Sequence, residues 1–573
     1  MKETKSLRLF FIKRRTCESI PYIAVPLVLS AFMHLWNPVG FPIADQDEGH
    51  YMRRAMQVLE GLGPQDPDYV HPYDHPYFGQ LFLASVLKVI GYPDLLQPKV
   101  GDIHSIEMLY FIPRFLMGVL AVIDTFLVYK IAETRYNRKV AFIAAILFAV
   151  MPFSWILRRV ILDSIQLPLI LLSILFVLYT RNSTTFKVVY NKKNVRYSPQ
   201  NINILTTLLS GIFLGLAIFV KIPAFSIVPL IALIYVYNKN FKALGIWFIP
   251  VVLIPLIWPA YAISQGQFDE WVDGVKWQTD RGFNRPLSNE MDTLFSKIDP
   301  LLFTLAVIGI IYAWIKRDYF LLLWVIPYMI ILFLVDWVYF FHFILVFPAF
   351  CIATALVFTD LAKKKFKTRI LKPLIFSLVG VIVIFGAIDS LMLITTNLNS
   401  SYFDLVSSVS RQLPSRNSNH NSYNNYDSYN NYNYVNNYSN NTVTLVGPNG
   451  GWSFYWVLKY AFDRDVKYEW FEYQDDYIKG PINKKFLLMV DREVRYAIFL
   501  TNSSDKPQVS QVRMLYDNST PLDYFFGDTL RYTLDKYPYT NINDDIDVGV
   551  GVKRMRGVDW TAPIEIRANY WNH

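Results

Sequence analysis

Apolar residues in this chain come in long uninterrupted runs rather than in short alternations. Between Ser19 and Ile394 many of these runs reach about 17–25 residues, the length an α-helix needs to cross roughly 30 Å of hydrocarbon. After Thr395 they stop. The runs at 19–36, 109–131, 140–157, 164–179, 204–220, 222–237, 243–264, 301–315, 319–337, 341–361 and 370–394 predict about eleven spans. The run at 77–90 is too short to cross and reads as an amphipathic helix lying along the surface.

The polar positions between the runs give the orientation. An arm over 1–18 carries Lys2, Lys5, Arg8, Lys13, Arg14 and Arg15, which places it in the cytoplasm. The first span then delivers 37–108 outside as one long loop. Every second loop after that should be basic. Arg135, Arg138 and Lys139; Lys187, Lys192, Lys193 and Arg196; Lys239 and Lys242; Lys316 and Arg317; and Lys363, Lys364, Lys365, Lys367 and Arg369 fit that alternation. An odd number of spans leaves everything after 394 outside. The expected architecture is a mainly α, polytopic membrane domain over 19–394, followed by an external segment, 395–441, and a small external α/β domain, 442–573.

The tract 415–441 is made almost wholly of Asn, Ser and Tyr, with too little aliphatic content for a core, and reads as a disordered linker. Beyond it, 442–446, 485–490 and 496–501 read as buried strands and 452–462 as a helix. Sequons at Asn399, Asn437, Asn440, Asn502 and Asn518 would permit glycosylation of this outer region.

Composition agrees. With 53% hydrophobic residues, 16% aromatics and a mean hydropathy of +0.25, the chain of 573 residues is no soluble globule. Its formal charge of +9 sits in the short loops as topology signals, so nucleic acid is not an expected partner. Cys17 and Cys351 stand far apart, which indicates neither a zinc site nor a disulfide framework. The basic arm feeds a full-length span without a small-residue cleavage site, so no cleavable signal peptide is expected.

Against this background the polar groups at the membrane surface stand out, because charge there is costly without a use. Asp45-Gln-Asp-Glu-Gly-His50 follows the first span, and His75-Pro-Tyr-Phe-Gly79 lies later in the same loop. Cations occur where the charge bias predicts few: Arg114 at the outer start of the second span, Arg158 and Arg159 at the outer end of the third, and Lys221 between the fifth and sixth. Asp163 lies beside the arginine pair and His342 near the outer end of the tenth span. Each has a plainer reading: Lys221 and Arg159 as snorkelling anchors, Asp163 as the partner of Arg158 or Arg159, His342 as an interfacial histidine, Asp47 and Glu48 as helix-start acids. Their convergence on one face favours a shared site. A carboxylate among cations suits group transfer from a lipid phosphate: the cations neutralise the departing phosphate and the carboxylate takes a proton from an incoming hydroxyl. No nucleotide-binding signature is present. The carboxylates with His50 offer ligands to a divalent ion, without diagnostic spacing.

Asp47-Glu48-Gly49-His50, His75-Pro76 with Gly79, Pro113-Arg114 and the segment from Arg158 and Arg159 to Asp163 resemble the GT-C superfamily of membrane glycosyltransferases. The likeness is to protein O-mannosyltransferases and lipid A aminoarabinose transferases, over about the first 390 residues. The resemblance implies a polyprenyl-phosphate-linked sugar donor, a protein or glycan acceptor, surrounding membrane lipids, and chemistry on the outer or lumenal face. It implies that Asp47 is the general base and that Glu48 positions the acceptor or a polar group of the donor. Arg114 and Lys221, with Arg158 or Arg159 in addition, would hold the phosphate, and His50, His75, Asp163 and His342 would support the site. Tyr77 and Gln80 replace the second Pro and the Lys of the usual His-Pro-Pro-x-Gly-Lys. Rival readings are an oligosaccharyltransferase-like enzyme, whose Trp-Trp-Asp-Tyr-Gly motif is absent here, and a glycolipid transporter or flippase, which would show internal repeats and midplane charges.

Overall fold

In a computed structural model the described residues are 22–65, 72–180, 203–279, 287–335, 338–363, 371–416, 442–448, 451–471, 485–490, 507–525 and 564–568. The protein is mostly helical and is an integral membrane protein. Among the described residues four helices are long and apolar enough to cross a membrane, six if two bent pairs each count as one span, and five shorter apolar helices accompany them. The exact count of eleven therefore stays an expectation.

The first apolar helix, α1 (Tyr22–Leu35), is followed by α2 (Gln46–Leu59) and α3 (Phe78–Val89) in the loop before the next span. Helix α3 occupies the short stretch expected to be helical over 77–90. Helix α4 (Ile103–Arg135) is far longer than the 109–131 run suggested. Asp102 starts it inside the loop, its carboxylate accepting from Ser105 N at 2.9 Å, an N-cap that satisfies an orphan donor. Arg114 consequently sits within the helix, one residue after Pro113, and not at the helix start.

The expected span at 140–157 is broken. Helix α5 (Arg138–Val150) gives way at Pro152 to a 3-10 segment (Pro152–Arg158), bent by 68°. That bend carries Arg158 and Arg159. Helix α6 (Leu162–Tyr179) then opens with Asp163 in its first turn, and α7 (Ile204–Val220) ends on Lys221, whose extended backbone leads into a Pro-containing 3-10 segment (Ile222–Ile227). Four helices follow: α8 (Val228–Tyr237), α9 (Phe241–Leu253), α10 (Ile257–Ser264) and α11 (Phe268–Thr279). After α12 (Leu287–Thr293) the chain continues through α13 (Pro300–Lys316), α14 (Tyr319–Val335), a 3-10 segment (Phe340–Leu345), α15 (Phe347–Lys363) and α16 (Leu371–Ile394).

Loops that charge assigns to one side pack on one another. Arg135 pairs with Asp318 at 3.1 Å, and the Tyr136 hydroxyl donates to Asp318 at 2.8 Å, joining two basic loops. On the other side Tyr73 donates to Gln267 at 2.7 Å, and Asn37 donates to the Ile394 and Thr396 carbonyls at 3.0 and 2.9 Å.

The segment after 394 begins with an ordered amphipathic helix, α17 (Ser400–Gln412), whose Phe403, Leu405, Val406 and Val409 are buried. Asn399 just before it is fully buried, donating to Val39 and Pro42 carbonyls at 2.7 and 2.9 Å and accepting from Ala44 N at 2.8 Å. An amide so engaged has no room for a glycan, which removes this sequon from the expected set. Asn437, Asn440 and Asn502 lie outside the described residues, as do nearly all of the tract 415–441 and the expected strand 496–501.

The C-terminal part holds a five-stranded sheet in the order β2-β1-β3-β5-β4. Strands β1 (Val443–Pro448), β2 (Val466–Phe471) and β3 (Phe486–Val490) are parallel; β5 (Ile564–Ala568) runs antiparallel to β3 and β4 (Thr520–Phe525). The helix expected over 452–462 is α18 (Trp452–Trp456) followed by a π-helical turn (Val457–Ala461), and α19 (Pro507–Asp517) precedes β4.

Candidate functional site

The site is organised by α2. Asp45 caps it, accepting from Asp47 N at 3.0 Å, so Asp47 and Glu48 fall in the first turn, where the helix dipole favours negative charge. Two successive residues on a helix point about 100° apart, and the fold treats these two carboxylates differently. Glu48 is fully buried and bound at two points by Arg114: Nε to Oε1 at 2.8 Å and Nη2 to Oε2 at 2.5 Å. Val160 N also donates to it at 3.3 Å. Asp47 keeps partial access to solvent.

The cations expected to hold a lipid phosphate are each given a protein partner. Arg114, fully buried, spends Nη1 on the Pro38 and Pro42 carbonyls at 3.0 and 2.8 Å in addition to its Glu48 contacts. Arg158 donates to the Trp36 and Asn37 carbonyls. Arg159 pairs with Asp45 at 2.9 Å. Asp163 pairs with Lys221 at 2.8 Å, not with either arginine beside it in sequence. Lys221 lies 5.5 Å from the centre of the Phe341 ring, and the pair with Asp163 engages one of its three N–H donors. His342 follows Phe341, partly exposed, its Nδ1 accepting from Tyr339 N at 3.2 Å, which leaves the ring proton of the neutral form on Nε2.

One turn after Asp47 stands Tyr51, a residue to which sequence reasoning gave no role in the site. It is 6% exposed, and its phenol is pushed well above the ordinary 10 by burial and then by the carboxylates of Asp47, Asp74 and Asp163. Those acids come from α2, the loop after it and α6, so the phenol marks where they meet. Arg54, also nearby, pairs with Asp74 at 2.8 Å. His50 is pushed well below the ordinary 6.5 by burial and then by the guanidinium groups of Arg53 and Arg54. Arg53 donates to its Nδ1 at 3.1 Å, as a neutral imidazole requires. His75 contributes to the same field and lies 3.3 Å from the Gln278 amide nitrogen, on α11.

The C-terminal domain forms a wall of this site. Trp452 stacks on His50 with ring centres 5.1 Å apart, and the Arg53 guanidinium lies 4.2 Å from the centre of the Trp452 ring. Gly49 is required by this contact: a Cβ there would lie 1.9 Å from the Trp452 carbonyl oxygen. Tyr110 of α4 donates to the Ser453 carbonyl at 2.6 Å, and Gln57 donates to the Tyr460 hydroxyl at 3.0 Å. The sequence offers a signal only in retrospect, in the aromatic run from Trp452 to Trp456 after a glycine pair. Among the described residues no group of three or more His, Cys, Asp or Glu side chains is placed to hold a metal ion.

Residues 26–264 match the model of the Alg9-like mannosyltransferase family, which bears out the GT-C resemblance. Among curated proteins nothing matches the chain. Similar solved structures include the archaeal oligosaccharyltransferase AglB from Archaeoglobus fulgidus in complex with an inhibitory peptide and a dolichol-phosphate, at 14% identity and a TM-score of 0.48, covering 79% of this chain and 64% of that one. Another is ArnT from Cupriavidus metallidurans bound to undecaprenyl phosphate, at 10% identity and a TM-score of 0.42, covering 69% of this chain and 72% of that one. The chain thus spans less than two thirds of the length of AglB.

Proposed function

We propose that this protein is a membrane glycosyltransferase that moves a sugar from a polyprenyl-phosphate-linked donor to a hydroxyl of a protein or glycan acceptor on the outer face. The observation that carries the reading is the division of labour within the acidic pair: Glu48 is consumed by Arg114 while Asp47, one residue away, retains access to solvent. A buried two-point ion pair serves as structure, and an accessible carboxylate at the same helix start suits a general base.

Asp47 takes the proton from the acceptor hydroxyl as its oxygen bonds to the sugar's anomeric carbon. The bond from that carbon to the phosphate oxygen breaks, and the electron pair leaves with the polyprenyl phosphate. Lys221, with donors left beyond its contact to Asp163, neutralises the departing anion. This reading moves Arg114 and Glu48 from substrate binding to holding α2 in place, and it leaves Arg158 and Arg159 as anchors of the loop that leads into α2. The Alg9-like match favours a mannosyl or related hexosyl unit.

The test is reconstitution of the purified protein with a polyprenyl-phosphate hexose, together with mass spectrometry of glycans from cells with and without the protein. Transfer by the parent and its loss in Asp47→Asn are expected. Identical glycans in both cell lines and no transfer in vitro would overturn the reading.

A further inference from the structure

We infer that the outer domain is a working part of the catalytic site, with Trp452 as a positioning residue that fixes the orientation of the helix carrying Asp47. The inference rests on the proposed function only for the role of Asp47; the docking itself is geometric.

Helix α2 has 14 residues and no transmembrane length to steady it. It is pinned on two sides. Toward the membrane, Asp45 and Glu48 are tied to Arg159 and Arg114. Toward the outer domain, Gly49, His50 and Arg53 all bear on Trp452 through backbone contact, ring stacking and a cation over the indole face. These three residues lie two, three and six positions after Asp47, within the next two turns of the same helix. Trp452 is itself held, edge-on to Tyr455 at 5.4 Å and to Tyr468 at 5.0 Å, the latter on β2. The sheet thus fixes the indole, and the indole fixes α2. Without the indole, α2 keeps its ties to Arg159 and Arg114, the Arg54–Asp74 pair and the Gln57 hydrogen bond to Tyr460, but the turn that follows Asp47 loses the wall that sets its rotation about the helix axis, and with it the direction in which the Asp47 carboxylate points. A displacement of about 1 Å at a reacting group costs on the order of 10²-fold in rate.

The experiment compares the full-length parent with Trp452→Ala and Trp452→Phe in lipid nanodiscs, by steady-state kinetics with a polyprenyl-phosphate hexose and by hydrogen exchange. Trp452→Ala should lower kcat on the order of 10²-fold while KM for the donor stays within about twofold, and amides of 46–59 should exchange faster with those of 103–135 unchanged. Trp452→Phe, which keeps a ring against His50 and Arg53, should recover most of kcat. A kcat for the Ala variant within twofold of the parent, or unaltered exchange over 46–59, would overturn the inference, as would a loss that Phe does not rescue. If the parent itself transfers no sugar, the proposed function falls and the exchange data alone decide whether Trp452 holds α2.

Discussion

The Glu48 carboxylate lies across the Arg114 guanidinium with contacts of 2.8 and 2.5 Å, both side chains sealed from solvent. Removing one member of such a pair strands a buried charge and costs about 3–5 kcal/mol, whereas replacing both with well-packed neutral groups can be close to neutral. Arg114→Met and Glu48→Gln alone should therefore lower the thermal midpoint sharply, and the double variant should recover much of the loss. Single variants of parental midpoint but weakened donor affinity would return the pair to the substrate.

The neighbouring carboxylate should behave in the opposite way. Asp47→Asn should keep the parental midpoint and donor affinity while kcat falls by about 10²–10⁴-fold, the usual worth of a general base. Lys221→Ala would strand Asp163, so the informative variant is Lys221→Gln with Asp163→Asn. It should weaken donor binding by about tenfold or more, in line with the roughly 1.5–3 kcal/mol of a charged hydrogen bond. Donor titration by fluorescence quenching separates this from a change in kcat.

Tyr51 is placed to donate a hydrogen bond where the acids meet, because burial and the carboxylates of Asp47, Asp74 and Asp163 keep its phenol from ionising. Tyr51→Phe should lower kcat by about tenfold at most, the worth of one hydrogen bond of roughly 0.5–1.5 kcal/mol. The alkaline limb of the pH profile should be the same in both proteins up to pH about 10. An alkaline limb that vanishes in the variant would mean that the phenolate forms after all.

His50 sets a pH dependence of stability. Its folded pKa lies below the ordinary 6.5, so on acidification the unfolded chain takes up the proton first and the native state loses stability as pH falls below about 6.5. The slope from this one group is at most about 1.4 kcal/mol per pH unit. His50→Phe, which keeps a ring against Trp452, should flatten the midpoint-versus-pH curve between pH 6.5 and 5 relative to the parent. Parallel curves would show that His50 takes no part.

What was legible in the sequence was whatever depends on periodicity and on charge at loops. The helix at 204–220 matches α7 to the residue, and the short helix at 77–90 matches α3 within a residue, because apolar run length decides both. The break at Pro152 and the early start of α4 at Asp102 were not legible, since a proline can kink a span as well as end it and a cap can extend a helix into a loop. The pairings of the candidate residues did not follow sequence neighbours: Asp163 chose Lys221 over Arg158 or Arg159. Pairing depends on which side chains the tertiary fold brings within 4 Å, and local sequence does not carry that distance. Trp452 was hidden for the same reason, its partners lying some 400 positions earlier.

The sidedness proposed for the site rests on the alternation of basic loops, and contacts across the fold agree with that alternation. Arg135 with Asp318 joins two loops that charge assigns inside, and Tyr73 with Gln267 joins two that it assigns outside. A single miscounted span between Arg135 and Gln267 would have put one member of each pair on the wrong face. In a background lacking Cys17 and Cys351, single cysteines at Lys99, Gln265 and Asn518, all exposed, should therefore react with a membrane-impermeant thiol reagent added to intact cells. Cysteines at Lys139 and Lys316, equally exposed, should react only after the membrane is opened. Labelling of position 139 or 316 from outside would reverse the first loop along with them, and would place Asp47 on the face where a donor displayed outside never arrives.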